Sequence, residues 1–561
     1  MVKRCSKIPV VNIKKSKIKY SFPDYSIEEI LEKLPFLGLD IEGVDDDIIK
    51  VEYNPNRPDF SSDIGIFRSL SGFLNEKLGL PKFEYSISSK YKIDIDKSVK
   101  TIRPFLLFFI AKNKKISQDL MEQIISMQED LHNGIARERR KASIGIHDLD
   151  KMEFPLKYST SDKDRKFIPL DESEEYTLNK ILDILPKGQK YRHLIKDFKK
   201  YPILIDQNKS IVSFPPIINS ENTKITNKSQ NLLIEVTATD FEIAKNIISI
   251  LFCFFHDENF KIISGPVGEE KTRSFYPLKI IKNKSVVVEE DYINSILGLD
   301  LATKEIIRSL KKVRIDPIKL KHNQLKCIIP QYRTDIRIPI DIVEEVSLGF
   351  GIYNLCPTLP FFKLSAGIKD SLNEILHELR KTIIGFGFQE VINFSLVDQK
   401  SIEIEGKNER NNDLLQVRES KSREHEYLRT NLIISLINNI SHNIHEEYPQ
   451  KIFEIGKVFS VDENMTENWK LALSISSNDT GFTQIRSLLR SIFNITFGQE
   501  IQTRSIQHNL FINGRSANVF IQNHAVGIVG EVSPKIISNY NIRVPISIFE
   551  IDLNAVFKAI K

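Results

Sequence analysis

Apolar runs of two different periods alternate along this 561-residue chain, and neither a pure helix bundle nor a pure strand sandwich accommodates both. Short apolar runs at 105–111 and 232–236 read as strands. Helical spacing holds over about 117–131, and again from near Asp240 through Phe255. Strands interspersed with helices imply an α+β or α/β domain over residues 89–268.

Residues 1–88 open with a basic, partly alternating stretch carrying Ile8, Val10, Ile13 and Ile18, then a helical pattern at 27–34. The turn-rich Asn54-Pro-Asn-Arg-Pro-Asp59 leads into a second amphipathic run, 64–78, with apolar positions 66, 67, 70 and 74 at helical spacing. Residues 271–348 combine a helix at 303–313 with strand-like runs at 315–318 and 325–329. A Pro-rich hinge at 357–360 precedes the last region, 361–561. There Ser371-x-x-Glu374 reads as a capping box ahead of Leu372, Ile375, Leu376, Leu379 and Ile383 on one helical face. Strand-like runs follow at 451–459, 471–475 and 525–532.

Apolar residues make up 41% and charged residues 27%, the ordinary mix of a globular protein with real cores. The formal charge of +5 is too mild to demand a nucleic-acid partner. Seven of the first twenty residues are basic, however, and Arg137, Arg139, Arg140 and Lys141 form a second knot. Such runs are usually solvated surface, and each is also a candidate RNA contact. Cys5, Cys253, Cys327 and Cys356 lie far apart with no C-x-x-C spacing, which argues against zinc and disulfide frameworks and suits a reducing cytoplasm. The longest apolar stretch, 247–255, is too short to span a bilayer, and no signal peptide is read.

Two constellations stand out. Asp335 lies in the loop Arg333-Thr-Asp-Ile-Arg-Ile-Pro339, and Asp341-Ile-Val-Glu-Glu345 begins a helix. Asp341 and Glu344/Glu345 share a helical face, and clustered carboxylates are hard oxygen ligands suited to Mg²⁺. The plainer reading is Asp341 as N-cap with Glu344 three residues on, acids at a helix N-terminus. The second constellation is Ser213-Phe-Pro-Pro-Ile-Ile-Asn-Ser220 followed by Glu235-Val-Thr-Ala-Thr-Asp240. Small hydroxyls, an amide and a carboxylate at strand ends can hold a polar ligand. They are equally turn and cap residues, with Thr239 or Asp240 capping the next helix. No Ser/His/Asp triad, Walker loop or G-x-G-x-x-G turn is visible.

Asn54-Pro-Asn-Arg-Pro-Asp59, Arg139-Arg-Lys-Ala-Ser-Ile-Gly-Ile-His-Asp-Leu-Asp150, Phe214-Pro-Pro-Ile-Ile-Asn-Ser220, Tyr332-Arg-Thr-Asp335 and Asp341-Ile-Val-Glu-Glu345 occur in this order across four regions. Together they resemble the phenylalanyl-tRNA synthetase β subunit, of the shorter archaeal and eukaryotic type, over essentially the whole chain. The resemblance implies a multidomain α+β protein. Its parts would be an N-terminal domain (1–88), an α/β tRNA-editing domain (89–268), a small winged-helix-like metal domain (271–348) and a class II synthetase-like antiparallel domain lacking catalysis (361–561). It implies Mg²⁺ at Asp335, Asp341, Glu344 and Glu345, shared with an α subunit. It also implies an editing pocket at Leu204, Ser213, Glu235 and Thr237 that hydrolyses tyrosine mischarged onto the phenylalanine tRNA. Glu235 would recognise the phenol, with Ser213 and Thr237 positioning the ester or its attacking water.

Two departures mark this chain. The family's usual Asp-Val-Thr-Gly-Thr-Asp is here Glu235-Val-Thr-Ala-Thr-Asp, so the carboxylate is one methylene longer and a glycine position is filled by Ala238. The alternative for Glu235 is a solvent-facing residue at a strand end. In the last region Leu428-Arg-Thr430 and Phe453-Glu-Ile-Gly-Lys-Val-Phe459 resemble the approach to the second class II motif, but Ser460 stands where an ATP-clamping arginine is expected. Phenylalanine and ATP are therefore expected on the α subunit of a cytoplasmic α2β2 heterotetramer that binds phenylalanine tRNA. The competing expectation is a stand-alone RNA-binding or scaffold protein built from the same domains.

Overall fold

The computed structural model describes residues 9–269, 274–360, 366–404, 414–418, 420, 422–461 and 464–560. They fall into two units, Met1–Leu359 and Pro360–Lys561. Cys5, Ile8 and the basic residues Lys3, Arg4 and Lys7 lie outside the described residues.

The first unit begins with a three-stranded antiparallel sheet whose central strand, Ile48–Tyr53, pairs with Val10–Lys14 and Leu39–Val44. Helices Ile27–Lys33 and Asp63–Phe73 close its core over Ile13, Ile49, Val51, Ile66 and Leu70. Ser26 and Glu29 cap the first helix reciprocally. The second helix stops at Phe73, five residues short of the amphipathic run, because Asn75 turns into the left-handed region at φ 66°.

The middle of this unit is two sheets packed face to face. One is five-stranded, with Leu232–Ala238 held between Phe105–Lys112 and Ala142–Asp148. The pleat sends Leu232, Ile234 and Val236 to one face, against helices Gln118–Asn133 and Phe241–Asp257. Leu233, Glu235 and Thr237 therefore face the other way, toward the six-stranded sheet that carries Tyr201–Ile205 and Ile211–Phe214. Burial on both faces explains why this strand reads as a continuous apolar run. Ser117 and Asp240 cap the two helices, their side chains accepting from Leu120 N and Ile243 N.

The third part is a small antiparallel sheet, Gln324–Ile329 between Lys284–Glu289 and Asp316–Lys319. Helices Glu290–Leu297, Thr303–Lys312 and Pro339–Phe350 pack around its core.

The second unit is built on a seven-stranded sheet whose long strands Gln450–Val461, Met465–Ser476, Ile546–Asp552, His524–Val532 and Phe511–Ile521 run antiparallel side by side. Helices Ser371–Gly385, Phe482–Phe497 and Leu553–Ile560 cover one face; Ile433–His442 and Pro534–Asn539 cover the other. The cap of the first of these helices is Asp370, accepting from Leu372 N, one residue earlier than the Ser371 the sequence suggests. The charged Asp carboxylate outcompetes the neutral hydroxyl for the first free N–H groups.

On the Ile433–His442 side, Glu454 is 2% exposed and receives Arg429 Nη1 at 2.6 Å, while Arg429 Nε donates to the Lys457 carbonyl. A Cβ on Gly456 would stand 2.4 Å from Arg429 Nη2, so glycine there admits the guanidinium. Removing one partner of such a pair strands the other charge. Arg429→Met is expected to cost roughly 3–5 kcal/mol, measured as an earlier thermal or urea transition of the full chain; an unchanged transition would contradict it.

Candidate functional site

The longer of the two constellations comes together in the cleft between the two face-to-face sheets. Glu235 sits mid-strand on the central strand Leu232–Ala238 and is 2% exposed, so the solvent-facing alternative is wrong: a strand hydrogen-bonded on both sides has no solvent-facing end at that position. Ser213 Oγ donates to Glu235 Oε1 at 3.2 Å, while Glu235 Oε2 is buried with no partner. Ser143, Ser213, Glu235, Asn219 and the backbone-rich Pro215–Ile218 segment line a small cleft of about 60 Å³.

Thr237, two residues along on the same face, lies deeper. Its hydroxyl is 2.8 Å from Ser143 Oγ and accepts from Arg103 Nε at 3.2 Å, and its carbonyl accepts from Arg103 Nη2 at 3.0 Å. Leu204 stands opposite Ser213 in the strand register but packs into the core with Phe108, Leu233 and Tyr158. Of the four expected pocket residues, Ser213 and Glu235 therefore form the wall of the cleft, and Thr237 and Leu204 support it from behind.

Three residues that sequence reasoning did not assign complete the site. Arg103 is 3% exposed, and burial pulls its guanidinium down to about 10 against the pull of Tyr158 and Glu235. Arg139, read above as part of a surface knot, is 7% exposed. Its Nη1 donates to the carbonyls of Pro216 at 3.2 Å and Ile217 at 2.9 Å, and its Nη2 to Glu129 Oε1 at 2.9 Å. It clasps the Pro-Pro segment to the cleft and is not available to RNA; three consecutive left-handed residues, Arg137, Glu138 and Arg139, turn it inward. His147 is fully buried on the neighbouring strand Ala142–Asp148, with Nε2 3.9 Å from Glu235 Oε1.

The acidic constellation is arranged differently from its sequence reading. Asp341 is not the N-cap: helix Pro339–Phe350 is capped at Ile338, and Asp341 at the third position accepts from Arg337 N at 2.7 Å and Ile338 N at 2.9 Å. Pro339 has no N–H to offer and suits the first turn, which sets the helix start two residues earlier. Arg333 is 2% exposed and forks between Asp335, at 2.6 Å, and Glu345. Burial alone would raise the Asp335 carboxyl, but the Arg333 charge outweighs it and holds it below the usual range.

Glu344 is exposed and has no ion-pair partner among the described residues. Its carboxyl is raised by partial burial and by the nearby charges of Glu345, Asp335 and Asp341. The four acids are neighbours, with Asp335 and Glu345 engaged by Arg333, Asp341 by two backbone N–H groups, and Glu344 left exposed. Among the described residues, no three such groups already converge on one point.

Comparison with known proteins follows the same division. Residues 111–250 match the B3/4 domain, residues 286–352 the tRNA synthetase B5 domain, and residues 355–553 the phenylalanyl tRNA synthetase beta chain CLM domain. The chain is 36% identical over 535 residues to the phenylalanine–tRNA ligase β subunit of Archaeoglobus fulgidus, covering 94% of this chain and 95% of the relative. It is 34% identical over 562 residues to that of Methanocaldococcus jannaschii, covering 97% and 100%. A solved N-terminal fragment of the phenylalanyl-tRNA synthetase β subunit from Pyrococcus horikoshii aligns with a TM-score of 0.58 at 32% identity, over 61% of this chain and 99% of the fragment. With near end-to-end similarity at this level, the chain belongs to the phenylalanine–tRNA ligase β-subunit family.

Proposed function

We propose that this chain is the β subunit of a phenylalanine–tRNA ligase, supporting ATP-dependent charging by an α subunit and hydrolysing tyrosine mischarged onto the phenylalanine tRNA. The editing half rests on one observation: a buried carboxylate, Glu235, with one oxygen held by Ser213 and the other unpartnered beside a cleft. An unpaired buried acceptor is costly, and a ligand hydroxyl that donates to it relieves the cost. Tyrosine carries that hydroxyl and phenylalanine does not. Ser213 stays beside the carboxylate, and Thr237 with Arg103 and Ser143 fixes the floor. An aminoacyl ester is already activated, so an oriented water suffices and no protein nucleophile is required.

In this reading residues 1–88, 89–268, 271–348 and 361–561 are the N-terminal, editing, winged-helix-like metal and pseudo-catalytic domains of an α2β2 cytoplasmic enzyme. Asp335, Asp341, Glu344 and Glu345 are the carboxylates that would hold Mg²⁺, and the bound ion would supply charge neutralisation there. Glu344 is the discriminating residue, since Glu345 is committed to Arg333 and its neutralisation would damage the fold. Glu344→Gln is expected to leave the melting transition within about 0.5 kcal/mol while raising the Mg²⁺ concentration needed for assembly or charging. An unaltered Mg²⁺ titration would reduce the cluster to helix capping.

The overall test is deacylation by the assembled enzyme. Tyrosyl-tRNA should be hydrolysed much faster than phenylalanyl-tRNA, and equal persistence of both would overturn the editing role.

A further inference from the structure

We propose that His147 is a second reader of the substrate's phenol hydroxyl, donating to its oxygen from the strand beside Glu235, behind the cleft wall, while Glu235 accepts its proton; this rests on the editing reading above. His147 Nδ1 lies 3.0 Å from Thr223 Oγ1. That hydroxyl is 3.4 Å from the Val212 and Ser220 carbonyls, at the edge of hydrogen-bonding range. In the tautomer proposed, Thr223 donates to Nδ1 and the ring's own N–H is on Nε2, toward Glu235. That donor is buried without a partner, and so is Glu235 Oε2.

His147 Nε2 stands 3.9 Å from Glu235 Oε1, the oxygen Ser213 already holds, too far to bond directly, and Oε2 of the same carboxylate is the free acceptor. The gap is built into the fold. Gly145 lies between them in register with Glu235, and a Cβ there would fall 2.3 Å from Glu235 Oε1 and 2.7 Å from His147 Nε2. One oxygen placed about 2.8 Å from Nε2 and from the free carboxylate oxygen would bridge the two groups. A phenol matches this pair because its hydroxyl donates once and accepts at the same time. Phenylalanine brings a C–H to the same point and leaves two buried polar groups unpaired. A site of that kind rejects the analogue by roughly 10⁴–10⁵.

The test uses the enzyme assembled with its α subunit, comparing parent, His147→Phe and His147→Gln. The measured quantities are kcat/KM for deacylation of tyrosyl- and phenylalanyl-tRNA, the rate of phenylalanine charging, and the melting transition. His147→Phe keeps the ring volume and removes the donor. It is expected to lower kcat/KM on tyrosyl-tRNA by about 10²-fold, with a far smaller change on phenylalanyl-tRNA. His147→Gln, whose amide nitrogen falls near the place of Nε2, should recover about tenfold.

A parental selectivity ratio in His147→Phe overturns the proposal. So does an equal loss on both substrates accompanied by a lowered melting transition in both variants, which is the mark of a packing role. Tyrosyl hydrolysis abolished by Glu235→Ala but kept in His147→Phe removes His147 alone. Failure of the parent to deacylate tyrosyl-tRNA removes the editing reading and this one together.

Discussion

Purified without a partner, this chain should support no measurable phenylalanine-dependent pyrophosphate exchange, and adding the cognate α subunit should restore both exchange and tRNA charging. The reason lies at the end of strand Gln450–Val461. Ser460, where the class II pattern expects a phosphate-clamping arginine, has its hydroxyl 2.8 Å from Thr466 Oγ1 across the strand pair. A hydroxyl carries no fixed bidentate cation to neutralise a transferring phosphoryl group. Arg429, which does reach this strand, is held by Glu454 and the Lys457 carbonyl, and freeing it would strand a buried carboxylate. Robust exchange by the single chain would overturn the division of labour between the subunits.

The second large effect is Glu235→Ala in the assembled enzyme. Hydrolysis of tyrosyl-tRNA is expected to fall by about 10²-fold or more, while phenylalanine charging and the melting transition stay near parental values. Truncation removes the acceptor for the phenol proton and the partner of Ser213, and leaves a void in the cleft. The extra methylene relative to the family's aspartate is accommodated because Gly145 has no side chain beside it: Glu235 Oε1 already occupies the space a Cβ would need. Gly145 and Glu235 therefore act as a matched pair, with the small residue on one strand making room for the longer acid on the next. Equal deacylation by mutant and parent would take Glu235 out of the site. The same result with the parental ratio of tyrosyl to phenylalanyl hydrolysis would place selectivity elsewhere in the cleft.

What the sequence determined by itself is the set of local decisions. Helical spacing over about 117–131 and from near Asp240 through 255 falls on the helices Gln118–Asn133 and Phe241–Asp257, and the apolar run at 232–236 falls on the strand Leu232–Ala238. Those signals are short-range, because an N-cap acts within one turn and a pleat repeats every second residue. The resemblance put Ser213 and Glu235 in one expected pocket, and the contact between them, 3.2 Å from Ser213 Oγ to Glu235 Oε1, appears only in three dimensions.

Tertiary structure alone decided the rest. A basic run near Arg139 looks solvated in sequence, yet three left-handed residues fold its guanidinium inward onto carbonyls some eighty positions away. Asp341 moved from cap to third helical position because Pro339 starts the helix, and Arg333 took two of the four acids. His147 faces Glu235 only because Ala142–Asp148 pairs with Leu232–Ala238 in the register that sets Gly145 beside the acid. Register between distant strands is fixed by the burial of whole faces, and no window of neighbouring residues contains it.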